Sequence, residues 1–364
     1  MVLLYIFGAV ALINCVYYIL FSKFSFLKPS EKIISEKYPV SLIICAKNEA
    51  ENLQKHIPLW QKQNYPNYEL ILINDASADE TLEVIESFAE NDPRIQVVNV
   101  KNNEAFWGNK KYALTLGIKR SKNTRLLFTD ADCYPASNEW LATMASNFSD
   151  EKQLILGYGA YEKQPGFLNK IIRFETLMTA VQYFSYAKAG NPYMGVGRNL
   201  AYTSNLYYEN KGFMSHIKIP SGDDDLFVNE AATSGNTEIC IDPEGFTYSL
   251  PKTKKKKWLL QKKRHYSTAK LYKPKHRFML GVYYIFNFLF WLLAAIILFT
   301  NVWIFGLGII FIRILFQYII IGNAAKKLKE ADLVPLIPFY ELFLIFTQLS
   351  IFISNSGEKN SQWK

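Results

Sequence analysis

The sequence predicts an α/β domain, a mostly parallel sheet with helices on both faces, joined to one N-terminal and three C-terminal transmembrane helices. Three observations predict it. From residue 39, short apolar runs of strand type alternate with helical stretches, the pattern of a parallel sheet wrapped by helices. The chain opens on an uncharged apolar run, and three more runs of that kind follow residue 277. Each approaches the roughly 20 residues that cross a bilayer.

The first run, residues 2–21 (VLLYIFGAVALINCVYYILF), has no basic stretch before it and no small-residue cleavage site after it. It therefore reads as a span rather than a cleaved signal peptide. Lys23, Lys28, Lys32 and Lys37 follow, which by the positive-inside rule directs the next segment to the cytoplasm. The 364 residues carry a net charge of +9, compatible with nucleic acid, a membrane surface or an anionic ligand. Cys15, Cys45, Cys133 and Cys240 are scattered without metal-ligand spacing. A disulfide framework or a zinc site is thereby disfavoured.

Within the α/β region, strands are predicted at residues 40–45 (VSLIIC), 68–73 (YELILI) and 95–100, and a further one ends in Asp130-Ala131-Asp132. Ligand sites in such sheets lie beyond the carboxyl ends of the strands. Two carboxylates two residues apart at that edge suit a hard divalent cation, Mg²⁺ or Mn²⁺. Helices are predicted after the first three strands, one opening at Ala46–Asn52 with acids near its start, where the helix dipole favours them.

Four segments carry a resemblance: CAKNEAENL at 45–53, LINDASADET at 72–81, GNKKYALTLGI at 108–118 and FTDADCYP at 128–135. In this order they are similar to the motifs of family 2 glycosyltransferases with the GT-A nucleotide-sugar-binding fold, over residues 39 to about 265. The resemblance implies that Asp75 contacts the uracil or ribose and that Asp130 and Asp132 hold the metal. A base in a strand-end crevice needs fixed acceptors, and Glu49 and Asp75 are placed for that, with Asp79 either a third acceptor or a helix cap. Lys110 or Lys111 is a candidate for the diphosphate.

The region from 140 to 220 is less regular. Residues 154–161 (LILGYGAY) read as one strand, and residues 170–188 as a long aromatic, amphipathic helix. Gly195, Gly197 and Arg198 resemble the family's glycine-bearing strand beneath the donor sugar. Asp223, Asp224 and Asp225 form a second acidic centre ahead of an apolar helix. The resemblance assigns one of them as the catalytic base, with Asp224 first and Asp223 second, because transfer to an alcohol needs a carboxylate that takes the hydroxyl proton.

Residues 252–264 (KTKKKKWLLQKKR) are densely basic. No nucleic-acid fold surrounds them, so the expected partner is the anionic cytoplasmic leaflet rather than nucleic acid. Gln261, Arg264 and His265 resemble the family's Gln-x-x-Arg-Trp motif with His in place of Trp. Positions three apart share a helix face, and the resemblance directs Arg264 and Gln261 to the diphosphate and His265 to the acceptor side. Apolar runs at 278–299, 302–321 and 333–354 follow. Arg313 and Glu341 interrupt the second and third, and are expected to face a polar partner or the bundle interior.

The expected organisation is a transmembrane helix at 1–22, a cytoplasmic GT-A domain at 38–250, a basic interfacial segment at 251–276 and three transmembrane helices at 277–355, with the tail outside. The expected protein is a multi-pass cell-membrane, inverting glycosyltransferase using a nucleotide-diphosphate sugar, UDP-linked first, and a lipid or lipid-linked saccharide acceptor. A processive polysaccharide synthase and a catalytically silent nucleotide-sugar-binding or interaction protein are the alternatives.

Overall fold

A computed structural model describes residues 1–28, 38–101 and 110–355. Lys32, Lys37, Gly108, Asn109 and the tail after Asn355, all used in the sequence reading, lie outside the described residues. In chain order the elements begin with α1 (Val2–Ser25), β1 (Val40–Ala46), α2 (Ala50–Gln61), β2 (Tyr68–Asp75), α3 (Thr81–Asn91) and β3 (Ile95–Val100). Next come α4 (Lys110–Arg120), β4 (Arg125–Asp130), β5 (Cys133–Pro135), α5 (Trp140–Ala145), β6 (Leu154–Leu156) and β7 (Gly159–Tyr161). They continue with α6 (Phe167–Lys188), β8 (Leu200–Thr203), α7 (Ser204–Glu209), α8 (Asp225–Ala231), β9 (Thr237–Ile239) and β10 (Thr247–Ser249). The chain closes with α9 (Lys255–Ala269), α10 (Pro274–Ile297), α11 (Trp303–Lys327) and α12 (Ile337–Asn355).

These elements form two compact units. One holds the α/β elements up to Gln164 and again over Gly190–Pro251. The other holds Met1–Lys28, Pro165–Ala189 and the described residues from Lys252 to Asn355. Helix α6 thus groups with the long apolar helices although its residues fall inside the 38–250 span.

The α/β unit is organised on a seven-stranded sheet in the order β3-β2-β1-β4-β8-β6-β9. The pairs β1–β2, β1–β4, β2–β3 and β6–β9 are parallel, and β8 runs antiparallel to both its neighbours. Strands β1 and β2 are covered on both faces, so Leu42, Ile43, Ile44, Leu70, Ile71 and Leu72 are all fully buried. That accounts for their continuous rather than alternating apolar sequence. Helix α2 buries Leu53, Ile57 and Trp60 against this core, the spacing of one helical face. The chain winds outward from β1 through β2 to β3, then returns to place β4 on the other side of β1. This reversal creates a crevice at the carboxyl ends of β1 and β4, the preferred ligand position in such sheets.

Residues 154–161 do not form one strand. They divide at Gly157 into β6, in the large sheet, and β7, in a small sheet of order β5-β10-β7. Asn199 drives the division: its carbonyl accepts from Gly157 N at 3.0 Å, and its amide donates to the Tyr158 carbonyl at 3.0 Å. A Cβ at position 157 would lie 2.5 Å from the Asn199 side chain, so only glycine fits.

In the second unit, four helical segments are long and apolar enough to cross a membrane: Val2–Ser25, Pro274–Ile297, Trp303–Lys327 and Ala331–Ser354. Arg313 faces the interior, as expected of a charge in such a bundle. Its guanidinium meets Glu341 at 2.8 Å, Asn287 at 2.7 Å and Gln317 at 2.9 Å. Glu341 also accepts from Tyr18 at 3.2 Å and Trp291 at 2.9 Å. Helix α6 is less amphipathic than its sequence suggests, since every residue over 171–178 is buried. Its two charges there are paired: Arg173 with Glu330 and Asp332, and Glu175 with Lys262 of α9.

Candidate active site

The site is assembled at the strand ends. Register pairs Cys45 of β1 with Asp130 of β4 on one side and with Ile73 of β2 on the other. Asp75 and Asp130 therefore terminate strands that flank β1. The loops leaving β1 and β2 are fastened to each other. Asn48 Oδ1 accepts from Ala78 N at 2.8 Å, Asn48 N donates to Ser77 Oγ at 3.0 Å, and Glu49 N donates to Thr81 Oγ1 at 2.9 Å. Asn48 and Ala76 take left-handed backbone angles, φ 56° and 48°, which turn both loops sharply over the sheet edge.

Asp75 is 5% exposed, and burial raises its carboxyl above the ordinary range, against the nearby Lys47 and Lys110 charges. Among the described residues no hydrogen bond reaches that carboxylate. Glu49 is half-buried and accepts from Asn52. Asp79 accepts backbone N–H groups at the starts of both helices, Ala50 N at 3.3 Å and Thr81 N at 3.1 Å.

Lys110, in the first turn of α4, joins the two acidic centres. Its Nζ lies 2.7 Å from Asp130 Oδ1 and 2.9 Å from Asp223 Oδ2. Together with Asp224, Gly197 and Thr129 these groups line one small pocket that Phe128 and Tyr202 also line, their rings stacked at 4.4 Å. Lys111 points elsewhere. It is 1% exposed, and its Nζ donates to the carbonyls of His216 at 2.9 Å, Ile219 at 2.7 Å and Ser221 at 2.7 Å. Two adjacent lysines were equivalent in sequence; only the fold separates them.

The three consecutive acids are equally distinct. Asp223 takes the Lys110 ammonium. Burial disfavours its ionised form, but that ammonium outweighs the effect and holds the carboxyl below its ordinary value. Asp224 Oδ2 accepts from Gly197 N at 2.7 Å, and its Oδ1 caps α8 through Asp225 N at 2.8 Å. Burial, then the adjacent Asp223 and Asp225 carboxylates, push Asp224 up to about 7. Asp225 Oδ1 accepts from Leu226 N at 2.8 Å. The turn into this run needs Gly222, whose φ is +97° and whose Cβ would meet Leu226 at 2.4 Å.

Arg198 lies over the Tyr161 ring at 4.3 Å and reaches Ala160 O and Ser249 Oγ, both at 3.3 Å. Its contacts tie β8 to the small sheet. The buried amide of Asn199, which escaped the sequence reading, bonds Trp140 Nε1 at 3.1 Å and Gly245 O at 2.8 Å and fixes the Gly197 turn. A short polar stretch between apolar strands was its only sequence signal. Gln261, Arg264 and His265 lie on α9, in the other unit, with Arg264 and His265 exposed.

A divalent metal fits the donor set at the strand end. Ligand atoms of Asp130, Asp132 and Cys133 lie within 4.8 Å of one another. Burial and the two carboxylates hold the Cys133 thiol protonated, which leaves a pair of hard oxygen donors suited to Mg²⁺ or Mn²⁺.

Residues 41–208 match the family model "Glycosyl transferase family 2". Glycosyltransferase AglE of Haloferax volcanii is 27% identical over 170 residues, 46% of this chain and 51% of its own. The Methanococcus voltae dolichyl N-acetyl-alpha-D-glucosaminyl phosphate 3-beta-D-2,3-diacetamido-2,3-dideoxy-beta-D-glucuronosyltransferase is 24% identical over 219 residues, 58% of this chain and 60% of its own. The chain thus spans between half and three fifths of these relatives' lengths. A mannosyltransferase from Pyrobaculum calidifontis, solved with GDP-Man and Mn²⁺, superposes with a TM-score of 0.59 at 16% identity, covering 94% of this chain and 98% of that one. Residues 41–208 thus carry a family 2 glycosyltransferase domain, and the mixed, mostly parallel sheet and this shared architecture are those of a GT-A fold.

Proposed function

We propose that this chain is an inverting, membrane-bound glycosyltransferase that moves a sugar from a nucleotide-diphosphate sugar to a lipid or lipid-linked saccharide acceptor. The observation that carries this reading is the Lys110 bridge from Asp130 to Asp223, with Asp224 in the same pocket. A leaving-group pole and a base pole then share one crevice.

Asp75, with a buried carboxylate not committed to hydrogen bonds among the described residues, is assigned to the nucleoside, assisted by Glu49. Asp130 and Asp132 are assigned as ligands of a divalent cation, which when bound supplies positive charge against the diphosphate. Lys110 adds a fixed cation at the same edge and favours departure of an anionic leaving group. Asp224, raised toward neutrality by burial and its acidic neighbours, is the base that accepts the acceptor's hydroxyl proton. Asp223, neutralised by Lys110, holds the lysine in place. One displacement, without a covalent intermediate, inverts the anomeric centre. For Gln261, Arg264 and His265 the assignment to donor and acceptor rests on the family resemblance alone.

A lipid acceptor is favoured by two features. The Methanococcus voltae relative is named for a dolichyl-phosphate-linked acceptor. In addition, residues 252–277 contain twelve Lys or Arg and no Asp or Glu, so the remainder of the +9 chain sums to −3. A basic segment directly before an apolar helix suits an anionic leaflet, and by the positive-inside rule this orients the catalytic domain to the cytoplasm. Nucleic acid has no such argument in its favour.

The test is sugar turnover by the full chain in lipid nanodiscs, with labelled UDP- and GDP-sugars, Mg²⁺ or Mn²⁺ and a lipid extract, beside Asp224→Asn. Label in the organic phase that disappears in the variant supports the proposal. A large water-soluble product points to a polysaccharide synthase instead. Donor binding without turnover points to a silent relative.

A further inference from the structure

Lys111 is buried beside the site. Its ammonium donates to three backbone carbonyls, those of His216, Ile219 and Ser221. These belong to the stretch that delivers Asp223 and Asp224. Between Asn210 and Gly222 that stretch has one short 3₁₀ turn, Met214–His216, and no strand pairing. Its backbone bonds are turn-like and local, such as His216 N to Phe213 O at 3.1 Å and Ile219 N to His216 O at 3.0 Å, with Phe213 and His216 buried and Ser215 bonded to Glu230 at 2.7 Å. Without a ladder to hold it, such a segment belongs to the mobile end of a structure.

The carbonyls suit an ammonium in particular. Three acceptors at 2.7–2.9 Å match the three donors of Nζ, whereas a planar guanidinium presents its donors in a fixed fork. The neighbouring Asp223, Asp224, Asp225 and Glu230 carboxylates supply a compensating field. On the far side of the Gly222 turn, Asp224 is fastened to the Gly197 amide. The acidic run is thus held by Lys110 at Asp223 and by Gly197 at Asp224, and the limb that leads into it is held by Lys111.

We propose that Lys111 is a positioning residue: by gathering the carbonyls of residues 216–221 it sets the pose in which Asp223 and Asp224 enter the pocket. The catalytic consequence rests on Asp224 being the base; the structural consequence does not.

The experiment combines hydrogen exchange with kinetics on the full chain in nanodiscs. In Lys111→Met, amides over residues 213–226 should exchange at least tenfold faster while those of β1, β2 and β4 are unchanged. Donor binding should stay within about threefold of wild type and kcat should fall tenfold or more. Lys111→Ala should recover part of its kcat with added methylammonium, whereas Lys111→Arg should not recover. Unchanged exchange over 213–226 in a folded Lys111→Met protein overturns the proposal. If that variant does not fold, Lys111→Gln replaces it: selective loosening of 213–226 supports the proposal, and uniform loosening of the sheet overturns it. The exchange arm needs no turnover, so it decides this proposal even if no donor is consumed and the enzymatic reading fails.

Discussion

The Gly197 amide donates to Asp224 Oδ2 at 2.7 Å, and this one bond sets where the candidate base stands relative to the sheet. A Cβ at position 197 would lie 3.3 Å from that same oxygen, closer than ordinary contact. Gly197→Ala should shift the carboxylate by a few tenths of an ångström. We expect kcat to fall by about tenfold, since small misplacements of a reacting group are costly, with donor affinity unchanged. Steady-state kinetics beside calorimetric donor binding check this.

Asp224→Asn should lower kcat by about 10²–10⁴-fold, the usual worth of a general base, without unfolding the protein. Burial and the adjacent acids raise the Asp224 carboxyl to about 7. Its folded value thus exceeds its unfolded one, so its contribution to stability falls as pH rises from about 4 through 7. The amide does not titrate, so the melting temperature should fall with pH through 7 in wild type more steeply than in the variant, which itself keeps only one of the two backbone N–H bonds to this side chain. Thermal unfolding in detergent, followed beside activity, separates the two effects.

The pH profile of kcat/KM should be a narrow bell. The rising limb reports ionisation of Asp224 near 7. The falling limb reports loss of the proton from Lys111, whose ammonium burial holds down at about 8. Above that pH the lysine gives up one of its three donors, and the loop carrying the acids loosens. Because these groups share Asp223 and Asp225 as neighbours, the limbs are macroscopic values of the cluster. Lys111→Met should remove the falling limb while keeping the rising one.

Chelation should abolish turnover, and Mn²⁺ or Mg²⁺ should restore it. Asp132→Ala should weaken Mn²⁺ binding by at least tenfold, read by the electron paramagnetic resonance of free Mn²⁺ in the presence of donor. Lys110→Met should leave Asp130 without its cation, so metal binding in the absence of donor should tighten rather than weaken. Equal Mn²⁺ affinity in all three proteins would place the metal elsewhere.

Breaking the Arg313–Glu341 pair should be the most damaging change among the apolar helices. Removing one partner of a buried pair costs about 3–5 kcal/mol, whereas replacing both with apolar groups is often neutral. Arg313→Met should therefore lower detergent thermostability sharply, and Arg313→Met combined with Glu341→Leu should recover much of the loss. Fluorescence-detected size exclusion after heating gives the comparison.

The α/β alternation, the four apolar helices and the strand-end acids were legible in the sequence because each is a local pattern. Apolar runs such as 68–73 declare a doubly covered strand, and Asp130 and Asp132 announce themselves by spacing. What the sequence left open was settled by neighbours distant in the chain. The 154–161 run divides because Asn199 captures the backbone at Gly157 and Tyr158. Lys110 and Lys111 look alike until the fold brings Asp130 and Asp223 to one and three carbonyls from residues 216–221 to the other. Asp223, Asp224 and Asp225 share a composition but not a partner. The sequence by itself therefore determined the fold class and the kind of chemistry, since periodicity and residue type are carried by adjacent positions. Tertiary structure alone decided which carboxylate is neutralised, which is raised toward 7 and which lysine acts as a clamp, because burial and charge pairing exist only once distant segments have met.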